Sequence, residues 1–528
     1  MMICTDTGGE SRPDRTRTMH RQCLSIIAFG LSLAMASAAL ATSAPANRLE
    51  VFPFQKPIQY THHNDDFTVR VRVPGGPWQD LYEYNVKVDL DKPQDASMAY
   101  FDFSGTVEVA VQKNNGTARA VAVRPLSKGV TARLKDNIAY FTLTRPQDLS
   151  VEFDGDHLHN LHLFTHAIRD DMPSHPPTTF YDIAAAPTPD LTRPVVYFGP
   201  GIYTPPDGEG GSFRIGSNTT VYVDGSALLK GTFVIDGAEN VKIISDGVFE
   251  GQKDLLLVRN SRHVVVDGPI TINPEHGTAR CANSEHVEFR HMRTIGAGPW
   301  SDGIGNFACH DVTIADSFVR TSDDSITVYN HRWDIWGNSR DITVRDSVLW
   351  ADVAHAVMIG MHGNTPSPGH PAAENIERLR FINLDVLDVD EDEPEYEGVF
   401  GITAGDDNLV RDVVFDDIRV ERIEEGKLFN LHVGFNAKYN TSPGRGIEDI
   451  TFRHVRFSGL GSPSAAAIFG YDATRGVRNI TLDDVRVGGV PVAAARPDLL
   501  EIGAFASDVK ASAGNTCKEQ PGARCKRK

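Results

Sequence analysis

The sequence predicts an all-β protein, an N-terminal β-sandwich followed by a right-handed parallel β-helix. Three observations carry that expectation: a short phrase recurring through the second half, alternating strands without that phrase in the first half, and 46 glycines with 30 prolines among 528 residues. Such a composition suits turn-rich β structure better than helical bundles. The length exceeds the usual span of one compact core, and 41% hydrophobic residues suffice to fill more than one. No segment sustains apolar spacing at 3.6 residues, so leucine-rich and helical solenoids fit poorly.

In chain order, residues 1–41 read as an export signal whose true start is Met19. His20 and Arg21 precede an uncharged apolar stretch, and small residues allow cleavage near Ala41. A secreted or periplasmic location follows, with no membrane association after cleavage, since no other segment could span a bilayer. Export would leave Cys281, Cys309, Cys517 and Cys525, an even set with three pairings, of which the short Cys517–Cys525 one is favoured. None has zinc-ligand spacing. A net charge of -18 opposes nucleic acid and anionic membranes as partners.

Residues 48–185 hold the alternating runs "FTVRVRV", "YEYNVKVDL", "GTVEVAVQ" and "LSVEFDG", the pattern of a sandwich. "AAAPTPDLTRP", 184–194, is the expected linker, and "VVYFGPGIY" opens the first coil of a β-helix spanning 194–500. Residues 507–528 read as a basic flexible tail.

Within the β-helix the phrase is one or two polar residues, an aliphatic, a variable residue and a second aliphatic or Phe. Its first aliphatics are Val241, Val264, Val287, Val312, Ile342, Leu379, Val413, Ile450 and Ile480, separated by 23, 23, 25, 30, 37, 34, 37 and 30 residues. Such periods mean stacked coils. Their growth is loop insertion on one side, where solenoids place binding faces.

Register singles out a site. Asp-Asp occurs at 65–66, 170–171, 323–324, 406–407, 416–417 and 483–484, so the dipeptide alone says little. Aligning "SDGI", "SDDSI" and "AHAVMIG" on the aliphatic two places later stacks Asp302, Asp324 and His355 in one column. Two carboxylates one rung apart repel and raise one pKa unless water or a proton intervenes. Asp323, next along the chain, should point differently. That leaves room for the water and sugar oxygen of inverting glycoside hydrolysis, which uses carboxyls roughly 6.5 to 9.5 Å apart.

These three phrases resemble the clan of β-helical glycoside hydrolases that includes polygalacturonases and dextranases, over roughly residues 195–490. The sandwich with "RPLSKGV" and "LSVEFDGDHLHNLHLF" is more similar to the dextranase type. The resemblance implies Asp323 as general acid, Asp302 and Asp324 holding the nucleophilic water, and His355 supporting the hydrogen bonding, with no cofactor and no metal. Two departures matter. Ala354 and Ala356 stand where polygalacturonases flank the histidine with glycines, and the Arg-Ile-Lys phrase that pairs with a uronic carboxylate corresponds to "GVFGITA", with Phe400 and Ile402 at the cation positions. Loss of charge-assisted bonds disfavours pectin and favours a neutral polysaccharide or oligosaccharide partner. Trp300, Trp333 and Trp336, near the aspartates, suit the apolar faces of sugar rings, and Phe400 is expected to line the same site.

Two weaker signals are set aside. "DVDEDEPEYE", 388–397, reads as a solvated acidic rim without the glycine-turn spacing of a helix-loop-helix calcium site. The histidines of "HLHNLHLFTH", 157–166, switch parity and do not share one strand face. The rival classes are a polygalacturonase-type hydrolase, a β-helical polysaccharide lyase, which needs a uronate and a basic residue as base, and a non-catalytic carbohydrate-binding surface protein.

Overall fold

The computed structural model describes residues 47–514 except 171, 174–179, 182–186, 209, 252–253 and 494. The expected export segment and the Cys517–Cys525 pair lie outside the described residues. Among the described residues no helix is long and apolar enough to cross a membrane.

The first part is two facing sheets. One contains Arg48–Glu50, Gln94–Ser104, Leu161–His166, Leu149–Phe153 and Val121–Arg124, with Tyr84–Val88 also on Gln94–Ser104; the other contains Gln79–Asp80, Phe67–Arg72, Val107–Lys113, Ile138–Leu143 and Arg133–Lys135. Alternation decides their faces: Phe67, Val69 and Val71 point inward with Phe101, Phe103, Val109, Val151 and Leu163.

The second part is a parallel β-helix. The first aliphatics of the repeated phrase stack without a slip, Val241 on Val264, Val287, Val312, Ile342, Leu379, Val413, Ile450 and Ile480. All nine are buried in one continuous core. The polar residue before each has a structural cause. Asn240, His263, His286, Asp311, Asp341, Arg378, Asp412, Asp449 and Asn479 adopt left-handed backbone, φ from 54° to 59°, and all but Arg378 are Asn, Asp or His, the non-glycine residues enriched in that region. The phrase is therefore a corner followed by a strand.

One boundary differs from expectation. The ladder does not stop at 500, because Ala506–Ser512 pairs with Val477–Asp483 and sets Val509 under Ile480. Asp508 takes the same left-handed corner, φ 53°, so "SDVKAS" is one more copy of the phrase rather than the start of a tail. The two parts also meet beyond the linker. Tyr84, Val86, Val88, Met98 and Phe164 of the sandwich share a core with Ile202, Leu228, Val248, Ile270, Ile295, Phe318 and Trp350 on the second face of the β-helix. At that seam the fully buried Arg320 guanidinium lies 3.7 Å from the centre of the Trp350 ring, bonds both oxygens of Asp352 and donates to Asn160. Within the solenoid Cys281 and Cys309 form a disulfide between adjacent coils.

Candidate functional site

The third face of the β-helix stacks Ala279–Ala282, Ile304–Phe307, Ile326–Tyr329, Val357–Ile359 and Phe400–Ala404 in register. Ile304 lies on Ile326 and Ile326 on Val357, so the residues two places earlier, Asp302, Asp324 and His355, occupy consecutive rungs. Backbone bonds lace these rungs: Thr278 N–H donates to Asp302 O at 2.8 Å, Gly303 N–H to Asp324 O at 2.9 Å, and Ser325 N–H to His355 O at 2.9 Å. Gly303 is required here, because a Cβ would stand 2.3 Å from the Ser325 carbonyl.

Asp302, Asp323 and Asp324 each bring one carboxylate oxygen to within 4.8 Å of the others. Asp324 is fixed from several sides. Its Oδ1 lies 2.7 Å from His355 Nδ1 and accepts from His355 N–H at 3.2 Å, while its Oδ2 accepts from the Tyr329 hydroxyl at 3.0 Å. Asp323 Oδ1 accepts from Asp324 N–H at 2.9 Å. His355 Nε2 lies 2.6 Å from the Tyr396 carbonyl. With a carboxylate on one ring nitrogen and a carbonyl on the other, both nitrogens act as donors, so the ring is an imidazolium.

Electrostatics agrees with that reading. Burial alone would lower the His355 pKa, but Asp324, then Glu391, outweigh it and raise it to about 9. Burial, with the neighbouring Asp324 second, lifts Asp323 to about 6. Asp302 is pushed well above the usual range by burial, then by Asp323 and Asp324, against the opposing Arg280 and Arg332. Asp302 and Asp323 therefore keep their protons to a higher pH than isolated aspartates would.

The aromatic residues divide. Trp300 and Trp333 are 59% and 52% exposed, both on left-handed backbone at φ 57° and 54°, a strained state for a bulky residue. Arg280 and Arg332 lie over the Trp333 ring at 4.7 and 5.1 Å. Trp336 does not offer a free face: His331 and His370 stack on it with centroid separations of 3.4 Å each, so the indole packs its own loop. Phe400 does not line the site either. It is 0% exposed, in the core against Phe415, because it continues the inward column Ile304, Ile326, Val357. Gly401 and Thr403 alternate with the inward Phe400, Ile402 and Ala404 on this strand, and a Cβ at Gly401 would stand 2.8 Å from His355 Cδ2.

The acidic run is more than a rim. Glu391 is buried with an oxygen 3.6 Å from His355 Nδ1 and is raised by burial to about 7, and Tyr396 supplies the carbonyl on the imidazole. Tyr329, Glu391, Tyr396, Arg280 and Arg332 were not singled out from sequence. Only Tyr329 carried a readable signal, as an outward position five residues after Asp324. The four histidines of 157–166 disperse: His157 meets Glu424, His159 meets Asp156, His162 meets Arg320, and His166 meets the Ala167 carbonyl.

No protein-family model matches the sequence, and no curated protein matches it. Among solved structures the chain is similar to Dex49A from Penicillium minioluteum, at 13% identity and TM-score 0.48 over 88% of this chain and 96% of that one. It is similar to the family 28 exopolygalacturonase of Yersinia enterocolitica, at 10% identity and TM-score 0.41 over 82% and 98%. It is likewise similar to the catalytic domain of a GH87 alpha-1,3-glucanase, at 11% identity and TM-score 0.42 over 89% and 92%.

Proposed function

We propose that the chain is an exported glycoside hydrolase that cleaves O-glycosidic bonds of a polysaccharide or oligosaccharide by single displacement with inversion. The observation that carries this is the trio Asp302, Asp323 and Asp324, with oxygens within 4.8 Å of one another beside an imidazolium. A water donates hydrogen bonds of about 2.7–2.8 Å, so two oxygens bridged by one water stand about 4.5 Å apart. Asp302 and Asp324 fit that task. Asp323, with Oδ1 fixed by the Asp324 N–H and its pKa near 6, has Oδ2 left to carry the proton given to the leaving glycosidic oxygen. The bridged water attacks the anomeric carbon as one of its protons passes to Asp324, while Asp302, whose carboxyl is pushed up by burial and its acidic neighbours, holds that water by hydrogen bonding. His355 and Tyr329 hold the Asp324 carboxylate in place.

A neutral sugar remains the favoured partner, now for a different reason. Gly401 and Thr403, not Phe400, alternate outward beside His355, and neither is a cation. The guanidiniums of Arg280 and Arg332 are engaged by Asp254 and His362. The exposed rings of Trp300 and Trp333 suit sugar faces. Export is supported by the Cys281–Cys309 disulfide, a bond that persists in oxidising compartments.

The carboxyl spacing favours a second reading, because retaining enzymes hold their two carboxyls roughly 5–5.5 Å apart and form a glycosyl-enzyme. One experiment separates the two: a panel of neutral and acidic glycans, with the anomeric proton of the first product followed by NMR. Inverted configuration is expected. Initial retention assigns the double displacement, unsaturated products assign a lyase, and sugar binding that survives Asp323→Asn without any hydrolysis by the unsubstituted chain assigns a carbohydrate-binding protein.

A further inference from the structure

The seam between sandwich and β-helix holds a second cluster of ligating groups, which the hydrolytic reading does not use. His166 closes the strand Leu161–His166 and stands directly opposite Asp102 on the parallel strand Gln94–Ser104. Asp246 comes from a coil corner of the β-helix just after Glu239–Ser245. One carboxylate oxygen of Asp102, one ring nitrogen of His166 and one carboxylate oxygen of Asp246 lie within 4.8 Å of one another.

Two further observations point to a missing ligand. Asp102 is only 4% exposed and its Oδ2 is buried without a hydrogen-bond partner, a costly state that an ion would explain. His166 Nδ1 lies 2.8 Å from the Ala167 carbonyl, so Nδ1 carries the hydrogen and Nε2 keeps its lone pair, as in metal-bound imidazoles. The nearby cations leave Asp102 Oδ2 without a bond. Arg169 donates to Oδ1 of Asp246 and Oδ1 of Asp267, and Arg293 to Asp148 and the Thr165 carbonyl. A cavity of about 410 Å³ whose lining includes Thr165, His166, His291 and Arg293 reaches the imidazole of the set.

We propose that Asp102, His166 and Asp246 bind a divalent transition cation, zinc being the best chemical fit, which pins the sandwich to the β-helix. Zinc accepts both imidazole nitrogen and carboxylate oxygen, and a water would complete its four places here, whereas calcium and magnesium take oxygen alone. The ion lies on the seam, away from Asp302, Asp323 and Asp324, and its role is structural.

The test uses the full chain, stripped with a chelator, dialysed against Zn²⁺ and assayed by elemental analysis. About one zinc per chain is expected to remain, with the Tm raised by several degrees. Asp102→Asn and His166→Gln are expected to lose both effects, and Asp323→Asn to keep both. Retention below about a tenth of an equivalent, or retention lost in Asp323→Asn and kept in Asp102→Asn, overturns the site. If the seam variants fail to fold, Co²⁺ in the unsubstituted protein decides: visible bands of a nitrogen-oxygen site of low coordination support it, and the weak spectrum of the hydrated ion overturns it.

Discussion

Asp323-Asp324 and Asp416-Asp417 are the same dipeptide on the same solenoid, and they do opposite things. Asp417 turns a corner in left-handed backbone at φ 56° with its side chain largely in water, while Asp416 accepts from Arg453 and His454 and is held below the usual range first by Arg453. Asp484 repeats the corner at φ 56°, with Arg456 and Arg486 as partners that outweigh burial. Asp323 and Asp324 are not among the left-handed residues. Among the described residues no arginine bonds them; they stand against Asp302, and Asp323 is pushed up rather than down. Corners take aspartate for its backbone tolerance and neutralise it; the outer groove takes aspartate for its charge and leaves the repulsion in place.

The contrast can be broken most sharply by removing the charge. Asp323→Asn should lower kcat by about 10³- to 10⁴-fold, measured as reducing-sugar release, whereas Asp417→Asn should leave kcat within about twofold. Next in size, Phe400→Ala should cost about 3–5 kcal/mol in denaturant unfolding through the cavity it leaves, while Trp333→Ala should raise KM by about tenfold with kcat little changed.

Proton linkage gives a third test. A carboxyl whose folded pKa is raised contributes stability below its unfolded value that is lost as pH rises through the folded one. From about pH 4 to 6 the Tm of Asp323→Asn should therefore climb relative to the unsubstituted chain, and kcat/KM should fall above about pH 6 as the acid loses its proton. Asp416→Asn should show the reverse trend, losing stability relative to the parent as pH rises toward the ordinary aspartate value, because the native carboxylate is held below it by its arginine partner. The smallest effect is expected from Asp417→Ala, about 1 kcal/mol for an alanine forced into left-handed backbone, with catalysis unchanged.

The scaffold was legible because each coil repeats one local decision, a residue that tolerates left-handed backbone followed by an inward aliphatic. Applied consistently, that periodicity stacks Val241 to Ile480 and brings Asp302, Asp324 and His355 onto one column. Phe400 was misread for lack of that same consistency: carried one rung beyond Val357, the alignment of Ile304 and Ile326 puts it inside. Other residues were hidden for a different reason. Trp336 is capped by His370, and His355 is held by Tyr396 and Glu391, partners 34 to 41 positions away on inserted loops, whose conformations obey no repeat. Read by composition alone, the run 388–397 shows only charge, and nothing in it announces that Glu391 folds back under the imidazole.

The Cys281–Cys309 bridge has a consequence for how such a molecule comes apart. A solenoid is a stack in which each coil leans only on its neighbours, so opening can begin at an end and travel. A covalent rivet joining the coil of Arg280 to the coil of Asp302 stops that travel at the threshold of the reaction centre, since neither layer can peel away without the other. Reduction should therefore shorten the life of the active protein on heating more than it alters the shape of the resting one, with protease cuts appearing first between the two released cysteines.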